Sequence, residues 1–253
     1  MLSCRLESKH ILPDLFHVIV VLALSFVAAT LAAVSGFGGA AVLVPVLAWS
    51  FGVREAIPIL TVAQLIGNAS RAWFNRRELN WHVVAWFALG GVPMALVGGV
   101  LFAKAPLPAL TRALGVFLIF IVVWRHAGPQ RTWRPPLPSF AAIGAGASFL
   151  SALMGSVGPL MAPLFLAYGL VKGAYIGTEA LSTVTMHVAK LIAYRHADVL
   201  PLHAVFIGLG LGPVMVLGSY VGKRIVDRVS EKAFVLIIDA TLVIAGIRFL
   251  WKG

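Results

Sequence analysis

The sequence predicts an all-α protein, a polytopic bundle of transmembrane helices made of two duplicated halves, each with a short Gly/Pro-interrupted segment. Three observations predict it. The 253-residue chain is 60% hydrophobic and only 11% charged, with a mean hydropathy of +0.96, whereas soluble domains carry about 25% charged residues. Apolar runs of roughly 20 residues, long enough to span a hydrocarbon core, recur from one end to the other. The glycines and prolines of one half, finally, find counterparts at near-constant spacing in the other.

In chain order the apolar segments fall at about Leu15–Val34, Gly38–Phe51, Ala56–Phe74, Trp81–Phe102 and Leu107–Trp124. They continue at Ser139–Met154, Val157–Leu170, Ala174–Tyr194, Leu202–Val221 and Ala233–Trp251. The first is longer than a signal-peptide core and no small-residue cleavage site follows it, so it is kept as a membrane helix. The second and seventh hold only about 14 residues and carry Pro45 and Pro163. At roughly 1.5 Å per residue they reach about 21 Å, short of a core about 30 Å thick. They fit tilted spans, half-helices or arms of re-entrant hairpins. The others are too long and too uniformly apolar for barrel strands, and backbone in lipid must satisfy its polar groups within the segment. No intervening stretch could fold by itself in water, so residues 1–253 form a single membrane domain.

The polar tract His126–Pro138 divides the chain into a first repeat of about 15–125 and a second of about 138–251. Pro45 and Arg54 answer Pro163 and Lys172 at a spacing of 118; Gly36 and Gly39 answer Gly155 and Gly158 at 119; Gly90, Pro93 and Gly98 answer Gly210, Pro213 and Gly218 at 120. Five crossings per half would make the repeats inverted, and four would make them parallel. The basic tracts 71–77, 125–134 and 223–232 share one side if ten segments cross, which favours inversion. Arg5, Lys9, Lys104 and Arg195 oppose it, and the crossing number stays open.

The net charge of +11 raises nucleic acid as a partner. Its cations, however, sit mostly in short tracts between apolar runs, where they act as topology signals beside anionic lipid. Nucleic acid is therefore set aside. Cys4, the single cysteine, excludes an intrachain disulfide and a cysteine metal cluster. No cofactor or metal motif is found, and the sequence leaves the oligomeric state open.

Two kinds of constellation could bind a solute. Ser35-Gly36-Phe37-Gly38-Gly39 is answered by Gly155-Ser156-Val157-Gly158-Pro159. Glycines let a helix unwind, and a helix starting after each break turns free N–H groups and its positive dipole end toward it. Small residues that only permit tight helix crossing are the simpler reading. Matching short, interrupted segments in two halves are, however, the sequence mark of a transporter binding site. The second kind is a polar stripe. Gln64, Asn68, Arg71 and Asn75 are spaced to share one helical face, and Thr183, His187, Lys190 and Tyr194 repeat that spacing, each displaced by 119. Gln64, Asn68, Thr183 and His187, with Gly36, Gly38, Gly39, Gly155 and Gly158, are the candidate anion-binding set. Arg71 and Lys190, near the ends of their segments, are assigned to a gateway for taking up and releasing the anion, or snorkel to the headgroups. Two intramembrane carboxylates, Glu179 and Asp239, are candidates for carrying a coupling proton; each is equally placed to be a structural counter-ion.

Gly36-Phe37-Gly38-Gly39 followed by Val44-Pro45-Val46-Leu47, then Gly52-Val53-Arg54-Glu55-Ala56 and the Thr61 helix, resemble the TauE/SafE family of sulfite exporter–like membrane proteins. Gly158, Ala162-Pro163, Leu170-Val171-Lys172-Gly173-Ala174 and the Thr178 helix repeat the pattern more loosely, and the resemblance runs from about residue 18 to 250. It implies a multi-pass transporter of the bacterial inner membrane for sulfite, sulfonates or related small anions, and not an enzyme. A passive anion channel on the same scaffold is the alternative. An intramembrane protease using Ser35, Ser148 or Ser151 with His187 is remote, since no Gly-x-Ser-x-Gly context is present.

Overall fold

In the computed structural model, which describes residues 15–35, 39–127, 134–225 and 231–252, the predicted segments are ten helices. They are α1 (Leu15–Ser35), α2 (Gly39–Phe51), α3 (Val53–Phe74), α4 (Trp81–Lys104), α5 (Leu107–Ala127), α6 (Ser139–Met154), α7 (Gly158–Ala167), α8 (Lys172–His196), α9 (Leu202–Ile225) and α10 (Glu231–Lys252). No strand occurs among the described residues. Two departures from the sequence expectation, at α7 and α8, bear on the site. The first is only 10 residues long, and the second runs on to His196, which leaves Lys190 deeper in its helix than the segment bounds implied.

Helix ends follow local chemistry. Asn80 caps α4 by accepting from the Val83 N–H at 3.2 Å. Gly155 ends α6 with φ +83°, a left-handed conformation that glycine adopts without strain, and its N–H closes on the Ser151 carbonyl at 2.9 Å. Pro159 falls in the first turn of α7, where a missing N–H is harmless. Arg54, at the start of α3, donates to the Ala103 carbonyl at 3.1 Å and to that of Ala105, capping the C-terminal end of α4.

Among the described residues, three helices are by length and composition able to cross a membrane: Trp81–Lys104, Leu107–Trp124 and Leu202–Ile225. Each turns large apolar side chains outward, among them Val97, Leu101, Val116, Val123, Leu209 and Leu217. The polar side chains of α3 and α8 are buried instead, an arrangement opposite to that of a soluble fold. α3 and α8 hold 22 and 25 residues, about 33 and 38 Å of helix. They are long enough to span, and their polar stripes make them less apolar than those three. α2 and α7, at 13 and 10 residues, reach about 20 and 15 Å and cannot span alone.

α3 and α8 pack on each other at the centre of the bundle; α4 packs on α6 and α8, α9 on α1 and α3, and α5 on α10. The α4–α6 crossing is close because it is lined with glycine. A Cβ on Gly90 would run into the Ala141 carbonyl, and one on Gly144 into the Phe87 carbonyl. α2 doubles back beside α1: a Cβ on Gly39 would lie 2.9 Å from that of Ala32.

Candidate functional site

α1, α2, α3, α6, α7 and α8 meet around a cavity of about 30 Å³. That is room for roughly two water molecules or one small oxyanion. From α3, Gln64, Asn68 and Arg71 line it, because their spacing puts all three on one helical face. From α8, Glu179, Thr183 and His187, four residues apart and so on one face of that helix, line it as well. Gly39 at the start of α2 and Gly155 and Gly158 at the α6–α7 break complete the wall, with Met161 and Met186 as its apolar part. Gly36 and Gly38 lie outside the described residues.

The polar wall is not saturated from within the protein. Gln64 Nε2, Ser156 Oγ, Glu179 Oε2 and His187 Nδ1 are buried without a hydrogen-bond partner among the described residues. At the α6–α7 break, the N–H groups of Ser156, Val157 and Gly158 donate to no backbone carbonyl among the described residues. Farther along, Pro159 has no N–H, and the N–H groups of Leu160 and Met161 both close on the Val157 carbonyl at 2.9 and 3.2 Å. The donors left at this helix end are thus the three that line the cavity. The Thr183 hydroxyl donates to the Glu179 carbonyl at 2.9 Å, and its oxygen lies 3.2 Å from Glu179 Oε1.

Both stripe cations are inside. Arg71 is 5% exposed and Lys190 0%, which removes the snorkelling reading for each. Arg71 lies in the cavity wall, donating to the Asn68 side chain and, at 2.9 Å, to the Ala32 carbonyl of α1; its charge also acts on Glu179. Lys190 is set one hydrogen bond behind the wall, donating to Ser151 Oγ at 3.1 Å. Asp239 is elsewhere. It is held by His126 Nε2 at 2.7 Å, a contact between α5 and α10, and does not line the cavity.

Two polar wall residues, Ser151 and Ser156, were not in the anion-binding set read from the sequence, where Ser151 figured only as a protease candidate. Ser156 stands inside the second glycine cluster, and Ser151 lies four residues before Gly155 and so shares its helical face. Position relative to the break was the available signal for both.

An apolar exterior around a cavity lined by buried polar side chains defines a helical membrane protein organised about an internal site. The chain belongs to the sulfite exporter TauE/SafE family, which it matches over residues 21–249. The family is one of membrane transporters and not of enzymes, so a small anionic substrate and a lipid surround come with membership, and the protease alternative falls away. The chain matches no curated protein and no solved structure.

Proposed function

We propose that this protein is a secondary transporter that carries a small sulfur oxyanion, sulfite or a sulfonate, across the bacterial inner membrane by a multi-pass fold, binding it in the α3–α8 cavity. The observation that carries this reading is a set of buried donors beside the Arg71 guanidinium: Gln64 Nε2 and Ser156 Oγ, which have no hydrogen-bond partner among the described residues, and the N–H groups of Ser156–Gly158, which meet no backbone carbonyl among them. Donors left open in a desolvated chamber lose about 1–3 kcal/mol each unless a ligand or water accepts from them. A compact oxyanion has acceptors on every side. Arg71, from its place in the wall, serves as an anion ligand here and not as a gateway alone.

Glu179 is the one carboxylate lining the cavity among the described residues. Ionised, it would repel an anion within a chamber this small; protonated, it would not. We assign the coupling proton to it. Residues 15–125 and 138–251 are read as two copies of one unit, a reading supported by α4 packing on α6 and α8 as α9 packs on α1 and α3.

The test is flux of labelled sulfite, sulfate and short sulfonates in proteoliposomes holding the full chain, with Gln64→Leu and Arg71→Gln beside the wild type. Saturable, gradient-driven accumulation that both variants lose supports the reading. Accumulation only to equilibrium indicates a channel, and undiminished transport by both variants rejects the site.

A further inference from the structure

We propose that Ser151 is itself an anion ligand and that Lys190 is the positioning residue that turns the Ser151 hydroxyl proton into the cavity. The inference rests on the anion site proposed above and deepens it. Lys190 is fully buried, and its Nζ lies 3.1 Å from Ser151 Oγ. Lys190 acts here as an ammonium; in that form it has three N–H donors and no lone pair, so in this contact Ser151 accepts. A serine hydroxyl has one proton, and it must then go elsewhere. A helical serine commonly gives it to the carbonyl one turn back. Ser151 gives it to no group among the described residues, although Thr183 and Thr61 both make that backward bond. Ser151 is 1% exposed, and the space it faces is the cavity.

The geometry therefore sorts the two cations of the stripes. Arg71 reaches the cavity directly. Lys190 does not; its charge arrives through one hydroxyl, which it both polarises and orients. Ser148, one turn earlier on α6, is buried without a partner among the described residues, but it does not line the cavity and has no such role.

The experiment is equilibrium binding of sulfite, with sulfate and methanesulfonate as parallel probes, to the purified full chain carrying Ser151→Ala, Ser151→Thr, Lys190→Met or the Ser151→Ala/Lys190→Met pair. Each single loss should weaken binding about tenfold or more, the ordinary effect of removing a hydrogen bond to a charged group. Ser151→Thr, which keeps the hydroxyl, should bind within about threefold of wild type. In the Ser151→Ala background Lys190→Met should add less than about twofold, because its effect passes through that hydroxyl. A lysine that only stabilises the fold would lower the melting temperature without this dependence on Ser151. Should either single variant fail to fold, the doubly apolar pair removes the whole contact, and wild-type affinity in it overturns the proposal. Wild-type binding by Ser151→Ala, or full additivity of the two losses, overturns it as well. Gln64→Leu and Arg71→Gln separate the two levels. If these also bind like wild type, the cavity itself is not the site; if they lose binding while Ser151→Ala keeps it, only the role of Ser151 and Lys190 fails.

Discussion

Arg71 Nη1 donates to the Ala32 carbonyl at 2.9 Å, so a cation of α3 braces the last turn of α1 just before the first glycine break. The contact has a counterpart. Lys190 stands 119 residues after Arg71, Ser151 stands 119 after Ala32, and Lys190 braces the last turn of α6 before the second break. In both places the positive charge lies by the C-terminal end of a helix, where unpaired carbonyls and the negative end of the dipole favour it. The two breaks are thus held by the same helices that supply the polar stripes.

Tyr194 makes the second tie between α8 and α6, donating its hydroxyl to the Ala152 carbonyl at 2.5 Å while its ring packs on Phe102. Tyr194→Phe keeps the ring contact and removes the bond. We predict a loss of about 0.6–1.5 kcal/mol in reversible unfolding from mixed micelles. An unchanged unfolding midpoint would show that the hydroxyl adds nothing to the α6–α8 tie.

Two glycines of the α4–α6 region should respond in opposite directions. Gly90→Val drives a side chain into the Ala141 backbone, which cannot move aside as a side-chain tip can, and we expect a loss of at least about 1–3 kcal/mol. Gly146 has open space at its Cβ position. Gly146→Ala should gain up to about 1 kcal/mol, because alanine loses less backbone entropy in a helix. Thermal denaturation of the two variants side by side checks the pair, and equal shifts would contradict the close crossing.

Glu179→Gln removes the negative charge from the proposed anion chamber and retains the shape. Sulfite should bind about tenfold tighter or more, given a like charge within several ångströms at moderate dielectric. Transport should lose its dependence on a proton gradient at the same time. Binding that weakens instead would mean that the carboxylate orients Arg71 and carries no proton.

Asp239→Asn should leave transport intact. It pairs with His126, whose side chain is 64% exposed at the end of α5, and it does not line the cavity. Flux measurements on the variant check this directly. Abolished flux, or flux that no longer depends on a proton gradient, would return Asp239 to the proton path.

The sequence by itself determined the helices and their faces. Uniform apolar runs leave the backbone in lipid no option but to bond within each segment, so all ten appear close to their expected bounds. Periodicity put Gln64, Asn68 and Arg71 on one face and Glu179, Thr183 and His187 on another. It could not say what those faces meet. Lys190 and Arg71 read as gateway or snorkelling cations because segment ends were the only depth marker available, and the burial of both follows from helices that close over them. Ser151 reaches Lys190 across 39 residues, and Asp239 reaches His126 across 113. Tertiary structure alone decided these pairings, because a side chain's face is a local property of its helix whereas its partner is set by how separate helices cross.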